Sequence, residues 1–272
     1  MSETKRTEMS FLDHLEELRW HLVRSLLAVL VFSLLAFVFK YIVFDVIVLG
    51  PSKPEFFTNR WLCFFGQEFL NSDKLCINSE PIMLQNIQMS GQFMAHIKIS
   101  LIGGIVVAFP YVFYEFWLFI RPALYTKEQN VARGAVLAIS MLFFLGVFFG
   151  YYIISPLSIN FLTNYQVSDL AINNIKLMSY VSLVASICLA AGILFELPVI
   201  VYFLSKIGLL TPEFLKKYRK HSLVVILVLA AIITPPDVFS QVLVAMPMLL
   251  LYEISIVISR RIVNKQKMDL QG

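Results

Sequence analysis

The sequence predicts an all-α integral membrane protein with six transmembrane helices, both termini cytoplasmic, and an amphipathic helix at the amino end. Three observations carry this. The 272 residues are 58% hydrophobic and only 15% charged, with a mean hydropathy of +0.77. Soluble domains hold ~45–50% apolar and ~25% charged residues. The apolar residues also gather into stretches that match the ~20 residues a helix needs to cross a bilayer core. Finally, the basic residues sort to one side. This balance excludes a disordered chain and argues against a soluble enzyme.

Residues 1–21 mix acids and bases and lack the small-residue cleavage site of a leader, so the segment is expected to stay attached. Ser10 and Asp13 form an S-x-x-D start signal. Phe11, Leu15, Leu18 and Leu22 recur at helical spacing, which predicts an amphipathic helix over 10–21. Asp13, Glu17 and His21 share another of its faces. Spans are expected at about 22–44, 92–119, 134–155, 179–205, 222–234 and 238–258, with an external loop over 45–91, all in a single domain 1–272. The second holds Gly103, Gly104 and Pro110 as packing or kink points. The third is free of charge, and the fourth contains Glu196. The fifth has 13 residues before Pro235, ~20 Å of helix against a core of ~30 Å.

An even number of spans puts both termini on one side. That side collects sixteen of the 22 lysines and arginines. The other holds four (Lys53, Arg60, Lys74 and Lys176), with Lys40 and Lys98 inside spans. Positive charge marks the cytoplasmic face, so the chain reads as a multi-pass protein of a bacterial inner membrane, or one made inside an organelle.

The acids then become informative. Asp13 and Glu17 repel each other on one helix face. A solvated polar face is the simpler account, and a docking cation the sharper one. A zinc site from His14, Glu17 and His21 lacks HEXXH spacing. On the same side, residues 114–128 mix interfacial aromatics with Glu115 and Glu128. Glu128 can also be read as favouring the positive end of the next helix. Glu196 within the bilayer costs ~2.5–3.5 kcal/mol on insertion scales, so it should face protein or water. Glu253 is expected to snorkel or pair with Arg260 or Arg261, and Asp237 to cap the last helix. Cys63 and Cys76 can pair in an oxidising compartment, with two free thiols equally open, while Cys188 sits in a span. Neither GxSxG nor HEXXH occurs, which argues against an intramembrane enzyme. A small-molecule transporter relaying protons through Glu196 would want further ionisable groups along the spans.

Four motifs in order resemble the TatC family, the multispanning receptor subunit of the twin-arginine protein translocase. They are His14-Leu15-Glu16-Glu17-Leu18-Arg19, then Phe119-Ile120-Arg121-Pro122-Ala123-Leu124-Tyr125 with Glu128, then Phe195-Glu196-Leu197-Pro198, and Thr234-Pro235-Pro236-Asp237-Val238-Phe239-Ser240-Gln241. The resemblance implies recognition of folded precursors through their twin-arginine signal peptides on the cytoplasmic face. It places Glu17 and Glu128 as the acids for the two arginines, with Leu18, Arg19, Phe119, Arg121 and Pro122 around them. It also implies that Glu196 faces a concave groove, and that Thr234, Asp237 and Gln241 contact small single-span subunits of the TatA and TatB types. Other copies of the chain and the lipid bilayer complete the partners, with no nucleic acid, cofactor or metal. The proton-motive force would drive transport without catalysis by this subunit, consistent with the missing Walker A sequence. The stretch from Pro51 to Pro81 looks longer than is usual in the family.

Overall fold

The protein is represented by a computed structural model that describes residues 11–80, 82–120, 132–168, 173–234 and 238–271. Ten α-helices are described: α1 (Phe11–Val38), α2 (Phe57–Leu70), α3 (Gly91–Ile120), α4 (Ala132–Phe149), α5 (Ser155–Asn164), α6 (Leu177–Phe195), α7 (Leu197–Lys206), α8 (Pro212–Lys217), α9 (Arg219–Ile233) and α10 (Val238–Gln271). Two-residue strands β1 (Leu84–Gln85) and β2 (Ile175–Lys176) pair in parallel. Five segments are long and apolar enough to cross a membrane: Glu16–Val38, Gly91–Phe119, Val136–Asn164, Leu177–Lys206 and Gln241–Gln266. They coincide with the first, second, third, fourth and sixth expected spans. The fifth corresponds to α9, whose 15 residues reach ~22 Å.

Several boundaries differ from expectation for local reasons. No Gly or Pro interrupts Phe11–Val38, so the expected amphipathic helix and first span form one continuous rod, followed by a π-helical stretch, Tyr41–Val48. The third span continues beyond 155: a π-helical turn at Gly150–Ile154 leads into α5, whose Pro156 lacks the N–H for the Tyr152 carbonyl, which accepts from the Thr58 hydroxyl instead. The fourth span breaks at Glu196, which ends α6 and begins α7, with a proline in the first turn. The last helix runs well past 258, to Gln271.

The chain divides into two compact units. The first comprises residues 1–39 and 100–140. Here α1 and α3 run antiparallel, since Ser33 meets Gly104 while His21 meets Glu115. Gly104 is what permits the approach: a Cβ there would lie 2.6 Å from the Ser33 nitrogen and 2.7 Å from its Cα.

The second unit comprises residues 40–99 and 141–272. Its core gathers Ile154, Ile187, Ala191, Ile226, Ala230, Val244, Ala245 and Met248, from the π-helical turn, α6, α9 and α10. Small residues bring α4 and α6 together: a Cβ on Gly146 would stand 2.5 Å from the Ala191 carbonyl oxygen, and one on Gly192 2.7 Å from the Phe143 ring. α7 is fastened to α10 by the buried Ser205 hydroxyl, 2.8 Å from that of Ser259. At the other end a polar knot orders the segment after α1. The Asn59 amide donates to the carbonyls of Pro51 and Lys53, and the Asn78 amide donates to that of Pro156. Cys63 and Cys76 are disulfide-bonded.

Candidate functional site

On α1, Glu17 and His21 stand one turn apart on one face. On α3, Tyr111 and Glu115 do the same. His21 Nδ1 lies 2.5 Å from one Glu115 oxygen, and the Tyr111 hydroxyl donates to the other at 2.7 Å. Glu115 is only 3% exposed, yet both its oxygens are engaged, which is what a buried carboxylate requires. The Phe119 ring, one turn along α3, meets the His21 ring edge-on at 6.4 Å between centroids. These contacts fix the rotation of α1 against α3.

Glu17 is treated differently. One of its carboxylate oxygens is buried and has no hydrogen-bond partner among the described residues. Desolvating an acceptor without a partner costs ~1–3 kcal/mol, and more for a charged group. An acid held in that state is suited to receive a donor from outside. Next to it in the chain Leu18 and Arg19 are exposed, and Phe119 on α3 is half-buried. The remaining expected members of this site, Arg121, Pro122 and Glu128, lie outside the described residues, as does Asp237; of the His14 side chain nothing is described. Glu115 and Tyr111 are the residues that sequence reasoning left without a role. Their i, i+4 spacing at a span end was the available signal, but nothing local identified His21 as the partner.

In the second unit, Glu196 is the other unsatisfied acid: both its carboxylate oxygens are buried without a partner among the described residues. Its backbone is fully used at the helix break. Its N–H bonds to the Ile193 carbonyl, and its own carbonyl accepts from Val199 and Ile200. Thr234 is buried and donates to the Ala230 carbonyl of its own helix, and the Gln241 amide donates to the Leu227 carbonyl at 3.0 Å, tying α10 to α9. Glu253 pairs with Arg219 rather than with Arg260 or Arg261. The latter lie seven and eight residues further along the same helix, beyond the three- or four-residue reach of side chains on one face, whereas α9 begins beside Glu253.

The family model for TatC, described as Sec-independent protein translocase protein (TatC), matches residues 13–247. A TatC from Blattabacterium sp. subsp. Periplaneta americana is 40% identical over 265 residues, covering 97% of this chain and 100% of the relative. One from Aquifex aeolicus is 37% identical over 95% of this chain and 98% of the relative. A crystal structure of a twin-arginine translocase receptor TatC superimposes with a TM-score of 0.68 at 35% identity, covering 92% of this chain and 99% of that one. A crystal structure of a twin-arginine translocase receptor TatC in DDM gives 0.69 at 36% identity, over 90% and 99%.

Proposed function

The chain belongs to the TatC family, the receptor subunit of the twin-arginine protein translocase, and from that premise we propose that Glu17 and Glu128 together receive the two arginines of a signal peptide. The observation that carries this is the buried carboxylate oxygen of Glu17, which has no hydrogen-bond partner among the described residues. A guanidinium supplies planar, charge-assisted, bidentate hydrogen bonds to a carboxylate, which an ammonium cannot reproduce. Phe119, Arg121 and Pro122 shape the adjoining wall, and Leu18 and Arg19 border it. His21 and Glu115 hold α1 so that Glu17 presents itself.

The chain crosses the membrane six times in this reading, with α9 as a short span that thins the bilayer locally or leans on a partner. Both termini face the cytoplasm of a bacterial inner membrane, on the strength of the positive-charge bias. Glu196 lines a concave groove, where an unsatisfied acid keeps the surface polar for a passing chain. Thr234, Asp237 and Gln241 contact small single-span subunits of the TatA and TatB types near the last hairpin. The subunit organises transport driven by the proton-motive force and performs no catalysis itself.

Photocrosslinking from α1 to a twin-arginine signal peptide tests the assignment. Glu17→Ala with Glu128→Ala should abolish the crosslink while membrane insertion persists. Each single change should weaken binding by about 2 kcal/mol or more, ~30-fold in Kd. Undiminished crosslinking in the double variant refutes the site.

A further inference from the structure

Helix α2 carries a feature that the receptor role leaves unused. Phe57, Trp61, Phe65 and Phe69 recur every four residues, so they share one face. The rings of Trp61, Phe65 and Phe69 stack into a ladder, with centroids 5.7 Å apart for Trp61–Phe65 and 4.7 Å for Phe65–Phe69. That face is open: Trp61 is 58% exposed and Phe69 67%. The helix cannot roll to hide it. Its opposite face is held by the buried Asn59 amide, by Gly66 against Leu75 and by the Cys63–Cys76 disulfide. The Thr58 hydroxyl also donates to the Tyr152 carbonyl.

Between α2 and the α4–α5 segment lies an apolar groove of about 950 Å³, walled by Phe57 and Trp61 on one side and by Leu145, Phe148, Ile153 and Phe161 on the other. That volume falls in the ~300–1,000 Å³ range of small-ligand sites. The second wall belongs to Val136–Asn164, a segment long and apolar enough to cross the membrane. Its Leu145 and Phe148 are exposed, as lipid-facing side chains are. The groove is therefore continuous with the lipid-facing surface. On the flank of α2 away from it, Arg60 and Gln67 are exposed, giving the helix the polar edge that an interfacial helix turns to the headgroups.

We propose that α2 is an aromatic anchor lying in the membrane interface, and that this groove holds an acyl chain of a phospholipid whose phosphate layer Arg60 meets. Tyr, Trp and Phe rings favour this depth because they are flat, rigid and apolar with a tolerance for the headgroup region. The inference rests on Val136–Asn164 being a membrane span, and not on the signal-peptide site.

The test uses the full chain in vesicles. Trp20→Phe with Trp117→Phe leaves Trp61 alone among the three tryptophans. Because Trp117 is buried, Trp61→Phe in the otherwise unchanged chain gives the same signal by difference. Phospholipids brominated along the acyl chain, present in both leaflets, should quench Trp61 emission strongly, while aqueous iodide should leave it nearly unchanged. Quenching by iodide and not by bromine overturns the proposal, because the face is then in water. Protection from both quenchers, with emission that changes with the protein-to-lipid ratio, also overturns it, in favour of a contact between copies.

Discussion

Replacing Glu115 by Ala removes the acceptor for two groups at once, the imidazole of His21 and the hydroxyl of Tyr111. Left unsatisfied and buried, each costs ~1–3 kcal/mol, and breaking a buried charged pair typically costs ~3–5 kcal/mol. Two facts lower the figure here. Tyr111 is 40% exposed, so its hydroxyl can turn outward. Hydrogen bonds between membrane helices also average only ~0.6 kcal/mol, with ~1.7 at the upper end, because the unfolded helices find other partners in the bilayer. His21 cannot turn to water, since only 12% of its side chain is exposed, and the acceptor left within reach on its own helix is Glu17, one turn away. The expected loss is therefore about 2 kcal/mol, ~30-fold in the unfolding equilibrium. Denaturant titration in mixed micelles, followed by tryptophan emission, measures it, because Trp20 adjoins His21 and Trp117 lies near Glu115. The decisive comparison is the cycle of His21→Ala, Glu115→Ala and the double variant. A coupling of about 1 kcal/mol is expected, within the ~0.5–3 kcal/mol seen for residues in contact. Additivity within ~0.3–0.5 kcal/mol would refute the claim that this pair locks α1 to α3.

Gly192→Leu should destabilise the second unit by ~1–3 kcal/mol through overpacking against Phe143 and Val147, read as a lower midpoint in the same titration. Cys63→Ser opens a bridge with a sequence separation of 13; loops of that size are worth ~3 kcal/mol, so the 45–91 segment should be nicked faster by added protease while the membrane spans stay intact. Glu253→Gln should change stability by less than ~1 kcal/mol, because both partners of the Arg219 pair are half exposed; a larger loss in melting experiments would contradict that reading. For Glu196, Gln should retain most translocation and Ala lose more, and vesicle transport at wild-type rate in the Ala variant would remove the groove-polarity idea.

The long helices were legible because hydrophobic length is a local property. Five of the expected spans fall on helices that are long and apolar enough to cross a membrane. Helix ends were less legible. The run from Ser155 to Asn164 continues as helix past Pro156 because a π-helical turn precedes it and the Thr58 hydroxyl takes the Tyr152 carbonyl that the proline leaves free. α1 continues through the expected joint between amphipathic helix and span because no residue there prefers to stop. Partners of charged groups were the hardest to read. Glu253 has two arginines nearby in sequence and bonds to neither, because seven and eight residues along a helix are out of reach. Glu115 looked like one of several interfacial acids, and its importance arises only when antiparallel packing through Gly104 brings His21 across.

That packing separates the acids of α1 and α3 into two kinds. His21 stands one helical turn from Glu17, near enough to serve as its partner at i, i+4 spacing. Glu115 engages His21 instead, and one Glu17 oxygen is left without a partner among the described residues. Had His21 turned to Glu17, an arriving arginine would first have to displace an internal bond. In the proposed site Glu115 would therefore be a positioning residue, one that sets helix rotation and keeps the competing imidazole occupied. Removing Glu115 should weaken signal-peptide crosslinking even with Glu17 and Glu128 intact, because the freed imidazole can close onto Glu17. Adding His21→Ala to Glu115→Ala should then restore part of the crosslink while stability falls no further. A purely structural role for the pair predicts the opposite, with crosslinking in the double variant no better than in Glu115→Ala alone.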